Sequence, residues 1–237
     1  MSEEYSSEVS AHYAAYRPPL HQMILNKMVA MGEVFNIGLD IGCGTGISTQ
    51  ALSQYCHHVH GVDPSAAMIA QAKTTETISY HLGSGESLPI KDKSIDVVTF
   101  AGSLSYAKSD ALLCELARVC KIKATALVYD FEVQLGDVLT GLGVKTYSSN
   151  TNYDHTVNFS DCSAFHEEQV TADTINLQLA PEQLAHVLFS SIRRYALLVE
   201  HFGDQNTFDF VTEKLNAKGD AHTVSINIYY SKYTVQV

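Results

Sequence analysis

Apolar and polar positions follow two alternating spacings along the first 133 residues of the chain. Apolar runs of strand length are separated by segments whose apolar residues recur at helical spacing. The pattern predicts strands at residues 36–41, 57–63, 77–82, 95–101 and 125–133, and helices at 20–31, 46–55, 64–73 and 109–120. Such alternation is typical of βαβ units, and therefore of a parallel sheet with helices on both faces.

The pattern changes after Val133. Residues 134–165 are polar with little periodicity. Beyond them it predicts strands at 169–179 and 222–237 and helical stretches around 181–201 and 207–215. We therefore expect an α/β fold with a Rossmann-like, mostly parallel seven-stranded sheet and a helical insertion over the ligand face. We expect a single domain over residues 1–237, in which 1–31 form an N-terminal lid and helix and 134–220 form a substrate cap.

Composition and charge narrow the possible partners. The chain is 46% hydrophobic and 17% charged, which is typical of a folded globular protein. Its net charge of −11 disfavours binding to nucleic acids. Five cysteines without a C-x-x-C pair suggest reduced thiols. The acidic start is unlike a signal peptide, and the apolar runs are too short to span a bilayer. We expect a cytoplasmic protein without nucleic-acid or membrane partners.

The stretch NIGLDIGCGTGIST, residues 36–49, places three alternating glycines where a strand should pass into a helix. Glycines allow a ligand to approach the main chain closely, because no Cβ intervenes. A dinucleotide-binding fingerprint, G-x-G-x-x-G, would require glycine where Ile47 stands. The motif present is instead D-x-G-x-G-x-G, from Asp40 to Gly46.

This motif resembles the first motif of the class I methyltransferases that use S-adenosylmethionine. VHGVDPSAAMIAQAK is similar to the second strand and helix of that family, and LGSGESLPIKDKSIDVV to its third loop and fourth strand. YAAYRPP is similar to the lid entry of the type 11 subgroup. The four motifs cover residues 10–133 in the family's order. The resemblance implies S-adenosyl-L-methionine as cofactor and in-line transfer of its methyl group to a small-molecule acceptor.

The resemblance also implies a set of cofactor-binding residues. They are Asp40, Gly42, Cys43, Gly44, Gly46, Asp63, Pro64, Met68, Ser84, Gly85, Glu86, Ala101, Tyr13 and Arg17. We expect the glycines to clear space for the ligand, and Asp40 to meet its α-ammonium group directly or through a water. Asp63 would accept hydrogen bonds from the ribose hydroxyls, although an acid before Pro64 is also a good helix cap.

Ser84 and Gly85 stand where the family usually has an acid and alanine, and contact with adenine is assigned to this loop. Many relatives also carry a His-Trp-aromatic run where Ser105, Tyr106 and Ala107 stand. Because of this departure, no catalytic residue is identified. The candidates are Tyr106, His12 and Tyr13, with His155, His166, Tyr16 and Tyr147 as further possible bases.

No metal site is predicted, because the HHVH run at residues 57–60 lacks partners at ligand spacing. Cys43 has no histidine within its motif to activate it, so it is interpreted as a spacer. Two other functions remain open. One is a protein that binds S-adenosylmethionine or S-adenosylhomocysteine without catalysis, as a sensor or partner subunit. The other is a nicotinamide-dependent oxidoreductase, which Ile47 disfavours.

Overall fold

A computed structural model describes residues 7–145, 153–203 and 205–236. Seven strands lie within these residues. They are β1 (Phe35–Ile41), β2 (Cys56–Asp63), β3 (Ile78–Leu82), β4 (Ile95–Ala101), β5 (Cys120–Val133), β6 (Phe165–Leu179) and β7 (His222–Val235).

The same residues form ten α-helices and one short 3₁₀ helix, Ser53–Tyr55. The α-helices are α1 (Ser7–Ala15), α2 (Leu20–Met28), α3 (Ile47–Leu52), α4 (Ala66–Ile69), α5 (Leu104–Ala107), α6 (Asp110–Val119), α7 (Gly136–Gly141), α8 (Pro181–Phe189), α9 (Ile192–Phe202) and α10 (Thr207–Asn216). No helix in these three ranges is long and apolar enough to cross a membrane.

The strands form one seven-stranded sheet in the order β3-β2-β1-β4-β5-β7-β6. The pairs β1–β2, β1–β4, β2–β3 and β4–β5 are all parallel. The predicted seven-stranded, mostly parallel sheet is therefore confirmed. Chain order reverses at β1, which has β2 on one side and β4 on the other. Ligands bind at such a switch point, beyond the carboxyl ends of the strands.

Several predicted boundaries were wrong. The helix predicted over residues 64–73 is reduced to the four residues of α4. β5 begins at Cys120, five residues before the predicted start at residue 125. Cys120 pairs with Ile95 of β4, and a bulge separates this pair from the next one, Val97 and Thr125. Lys123 lies in the bulge and has a left-handed backbone conformation. The helical stretch expected around residues 181–201 is divided into α8 and α9, and α8 ends at Phe189. There Ser190 Oγ donates to the Val187 carbonyl at 2.8 Å.

The chain folds into two compact units. One comprises the described residues within 1–18, 132–151 and 174–227, and its core is formed by side chains such as Leu139, Leu184 and Leu188. The other comprises 19–131, the described residues within 152–173, and 228–236. Its core includes Leu39, Val98, Phe100 and Tyr233, all 0% exposed. The single domain with a cap over residues 134–220 stays a prediction, and Tyr147 lies outside the described residues.

A network around Arg118 fixes the segment that precedes β4. The Glu115 carboxylate accepts two hydrogen bonds from the Arg118 guanidinium, from Nε to Oε1 at 2.7 Å and from Nη2 to Oε2 at 2.6 Å. Arg118 also donates to the carbonyls of Leu88 and Ile90, at 2.9 and 2.8 Å. The hydrogen bonds from Arg118 lower the pKa of Glu115 to about 2. The pair thereby ties residues 88–90 to α6.

We expect Glu115→Gln to lower the free energy of unfolding at pH 7 by about 1–2 kcal/mol, a value reduced for solvent screening. The carboxylate of the folded chain has a pKa of about 2 against an ordinary 4.5. The stabilisation that the ionised carboxylate provides is therefore complete above pH 4.5, the ordinary pKa, and is lost as the pH falls through the folded-state pKa of about 2. Urea unfolding at pH 7 and pH 3 should show a smaller difference at pH 3. A difference that does not shrink, or an equal effect of the exposed control Glu76→Gln, would contradict this assignment.

Candidate functional site

A cavity of about 430 Å³ opens at the carboxyl ends of the central strands. This volume lies within the roughly 300–1,000 Å³ typical of small-molecule sites. Its walls come from the ends of β1, β2 and β4, the loop after β3, and α5. The lining residues are Ile41, Gly42, Val62, Asp63, Pro64, Gly83, Ser84, Gly85, Glu86, Ala101, Gly102, Ser103, Tyr106 and Ala107. The cavity therefore lies at the switch point of the sheet.

The glycine loop is left-handed at Gly42, Gly44 and Gly46, with φ of 74°, 53° and 88°. A Cβ on Gly42 would lie 2.5 Å from the Cβ of Ser103, and one on Gly46 would collide with the hydroxyl of Tyr80. Only at Gly44 would a Cβ meet nothing within 4 Å. Gly42 and Gly46 therefore also make room for the protein's own side chains. Of the three glycines, Gly42 lines the cavity and Gly44 and Gly46 do not, so a role of all three in clearing space for a ligand stays a prediction.

Asp40 is completely buried and accepts three hydroxyl hydrogen bonds. Ser48 and Thr49 donate to Oδ2 at 2.6 and 2.7 Å, and Thr99 donates to Oδ1 at 2.8 Å. Burial raises the pKa of Asp40, and the three hydroxyls oppose that rise. The expected partner was a ligand ammonium group or a water, but the structure supplies hydroxyls from α3 and β4. Asp40 is not among the residues that line the cavity.

Asp63 lines the cavity at the end of β2 and is 8% exposed. Its Oδ2 accepts from the Gly44 N–H and its Oδ1 from the Ser65 N–H, both at 2.8 Å. The helix cap is Ser65, whose Oγ accepts from the Met68 N–H at 3.3 Å. Each carboxylate oxygen has a second lone pair, so Asp63 could still accept from two ligand hydroxyls. Contact with a ribose stays a prediction.

The loop after β3 contributes Ser84, Gly85 and Glu86 to the wall of the cavity. The Ser87 N–H closes the turn on the Ser84 carbonyl at 3.1 Å. A Cβ on Gly85 would lie 2.9 Å from Leu112, so the alanine usual in the family would press on α6. Glu86 is exposed and accepts from Ser109 Oγ at 3.1 Å. The loop therefore lies at the cavity, and its contact with adenine stays a prediction.

The end of β4 forms the opposite wall, with Ala101, Gly102 and Ser103. Ser103 Oγ donates to the Ile41 carbonyl at 2.5 Å and thereby ties this wall to β1. Tyr106 on α5 lines the cavity and is 81% exposed, with its ring 5.4 Å from that of Tyr153. Tyr106 is therefore not an ordinary packed aromatic residue, and its catalytic role stays a prediction.

Cys43 and Met68 do not line the cavity. Burial, followed by the nearby Asp40 and Asp63, raises the pKa of the Cys43 thiol to about 12. The thiol is therefore protonated at neutral pH, which agrees with the interpretation of Cys43 as a spacer. Met68 lies half-buried on α4. Contacts of either side chain with a cofactor stay predictions.

The N-terminal candidates belong to the other compact unit. His12 Nδ1 lies 3.0 Å from His186 Nδ1, and its ring stacks on Phe208. Burial and then His186 lower the pKa of His12. The Arg17 guanidinium lies 3.8 Å from the centre of the Tyr13 ring, in a cation–π contact. Roles of His12, Tyr13 and Arg17 at the cavity stay predictions.

Sequence reasoning missed the hydroxyls that hold Asp40 and the aromatic ring of Tyr80 that packs against the glycine loop. Ser48 and Thr49 follow the loop in GISTQ, and a pair of hydroxyls directly after an acidic glycine motif could have signalled a buried acceptor. Thr99 gave no such signal, because it lies 59 residues from Asp40 along the chain.

Comparison with known proteins places this cavity within a matched region. Residues 39–128 match the methyltransferase domain family. The CRG1 protein of Saccharomyces cerevisiae, assigned as an S-adenosylmethionine-dependent methyltransferase, is 31% identical over 125 residues, which cover 49% of this chain and 43% of CRG1. Demethylmenaquinone methyltransferase of Tropheryma whipplei is 34% identical over 98 residues, which cover 39% of this chain and 41% of the relative.

The chain spans less than half the length of these curated relatives. A solved structure from Anaeromyxobacter dehalogenans, assigned as a type II methyltransferase, superposes with a TM-score of 0.63 at 16% identity. That alignment covers 93% of this chain and 97% of the other. At this identity the similarity concerns the fold alone.

We expect Asp40→Asn to lower the free energy of unfolding by about 1–3 kcal/mol. An amide nitrogen cannot accept a hydrogen bond, so at least one buried hydroxyl would lose its acceptor. Urea denaturation should show the loss, and the exposed control Asp137→Asn should show none. Equal stability of Asp40→Asn and the control would mean that the three hydroxyl contacts do not hold the loop.

Proposed function

We propose that this chain, whose residues 39–128 match the methyltransferase domain family, is a class I S-adenosylmethionine-dependent methyltransferase that transfers a methyl group to a small-molecule acceptor. The observation that carries the proposal is the cavity itself. It combines an acidic side chain at the end of β2 with main-chain walls at the switch point of the sheet. Sites for nucleosides occur at this place in parallel α/β sheets.

The residues present fit the donor. Gly42 lines the cavity without a side chain, and Asp63 keeps lone pairs that can accept from ribose hydroxyls. The loop from Ser84 to Glu86 offers main-chain and hydroxyl groups to an adenine ring. The volume of about 430 Å³ is adequate for a nucleoside that carries an amino-acid chain.

S-adenosylmethionine supplies a methyl group that is already activated by the positive charge on its sulfur. The chain's residues therefore bind the donor, orient the acceptor and exclude water. Orientation alone can account for about 7–11 kcal/mol of a reaction barrier. A general base adds to this only if the acceptor arrives protonated.

A small-molecule acceptor is supported by the charge and by one relative. A net charge of −11 disfavours tRNA or DNA as substrates. The Tropheryma whipplei relative acts on demethylmenaquinone, as its name states. All five cysteines are free thiols, which suits a reducing compartment such as the cytoplasm.

We expect Asp63→Asn to weaken binding of S-adenosylhomocysteine by about 10–100-fold, because hydrogen bonds to a charged acceptor are lost. Isothermal titration calorimetry would measure this, with Asp137→Asn as a matched control on the surface. Unfolding midpoints of both variants would show whether Asp63→Asn is folded. Unchanged affinity in Asp63→Asn would remove Asp63 from the donor site, and no heat with the wild type would overturn the proposed function.

Single-turnover transfer from labelled donor to a pool of metabolites tests catalysis. A labelled product would support the methyltransferase proposal and would identify the acceptor. Tight binding of the donor without any product would favour a sensor or a partner subunit. A titration with NADH in the same calorimeter separates the oxidoreductase alternative, for which we expect no heat.

A further inference from the structure

Three polar side chains meet beside the cavity at the ends of β4 and β5: Asp130, Tyr153 and His155. The Tyr153 hydroxyl lies 2.6 Å from Asp130 Oδ2 and 2.8 Å from the Gly102 carbonyl oxygen. Asp130 Oδ1 lies 3.3 Å from the position that a Cβ on Gly102 would occupy. Gly102 also lines the proposed donor cavity. The cluster is therefore separated from that cavity by a single main-chain segment.

His155 is held at this place by aromatic contacts. Its ring stacks on Tyr229 with an angle of 15° between the planes, and it meets the edge of Tyr153 with ring centres 4.7 Å apart. His155 Nδ1 lies 3.1 Å from Asp130 Oδ2. This buried nitrogen is nevertheless not aligned for a hydrogen bond. Catalytic hydrogen bonds are often misaligned without ligands and tighten when the complex forms.

The other two members are unsuited to remove a proton. Burial, and then the hydrogen bond to Asp130, raise the pKa of Tyr153, so its phenol stays protonated at neutral pH and acts as a donor. Asp130 already accepts from the Phe131 N–H at 2.7 Å and from Tyr153. A neutral imidazole that donates through Nδ1 to a carboxylate keeps a free lone pair on Nε2. His155 is thus the proton acceptor of the cluster.

An acceptor could reach His155 from one side, through a cavity of about 120 Å³ whose walls are mainly apolar and aromatic. On its other side the ring lines a cavity of only about 10 Å³ with Gly102, Ser105, Asp130 and Tyr153, which is about the volume that one water needs. A proton could pass through such a water. The larger cavity includes Val128, Val157, Val170 and Tyr229. An uncharged group of an acceptor would be accommodated between these side chains.

We propose that His155 is the general base of the methyl transfer and that Asp130 is its positioning residue; this proposal rests on the proposed function above. A lone pair of the acceptor forms the new bond to the methyl carbon. The electron pair of the broken sulfur–carbon bond stays on sulfur, which becomes neutral. The proton of the acceptor passes to Nε2 of His155 and then to solvent.

The proposal defines the class of acceptor. Its nucleophile carries a proton at neutral pH, as a phenolic or alcoholic hydroxyl does. A tertiary amine or a thioether has a free lone pair and would gain nothing from a base.

The tautomer of His155 tests the proposal without any acceptor. In ¹⁵N-histidine-labelled protein saturated with S-adenosylhomocysteine, we expect the His155 ring to carry its proton on Nδ1, with the resonances assigned by their loss in His155→Gln. Asp130→Ala should shift the ring to the Nε2–H form, and Asp130→Asn, which keeps an oxygen acceptor, should restore Nδ1–H. A ring protonated on Nε2 in the wild type would overturn the proposal.

Single turnover with the acceptor from the metabolite screen tests the chemistry. His155→Gln should lower the transfer rate by about 10²–10⁴-fold while the affinity for S-adenosylhomocysteine stays unchanged. The control His58→Gln, on the exposed side of β2, should leave both values unchanged. A His155→Gln rate equal to that of the wild type would overturn the role of His155. Absent donor binding in the wild type would instead overturn the proposed function.

Discussion

The buried carboxylate of Asp40 is the interaction on which the site depends. A charged group without water is stable only where donors surround it. Ser48, Thr49 and Thr99 supply those donors from α3 and from β4. The end of β1 is therefore fastened to the helix that follows it and to the strand across the switch point. The glycine loop lies between these fixed ends.

The loop is held by side chains that occupy the space its glycines leave. Ser103 packs over Gly42 and Tyr80 packs over Gly46, while the Gly44 N–H donates to Asp63. Asp63 thus joins the loop to β2 and still presents its carboxylate to the cavity. Asp40 thus supports the loop from inside the protein, and Asp63 faces the cavity.

The strands of the first half and the family resemblance could be predicted from sequence, because both depend on local patterns. The match of residues 39–128 and the seven-stranded sheet confirm them. The partners of Asp40 could be predicted only in part, since Thr99 comes from a distant strand. His155 could be named as a possible base from the sequence, but its grouping with Asp130 and Tyr153 could not be predicted, because β5 and a later loop bring together residues 23 positions apart. The end of α8 could not be predicted, because no glycine or proline marks it. The helix ends instead where the Ser190 side chain donates a hydrogen bond to the Val187 carbonyl.

A crystal structure with S-adenosylhomocysteine would test the central claim most directly. The account predicts the nucleoside in the cavity bounded by Asp63, the loop from Ser84 to Glu86, and Ala101. It also predicts that the Asp40 carboxylate still accepts from Ser48, Thr49 and Thr99 and does not touch the ligand. Density for the nucleoside elsewhere, or an Asp40 side chain turned from its three hydroxyls toward the ligand, would contradict it.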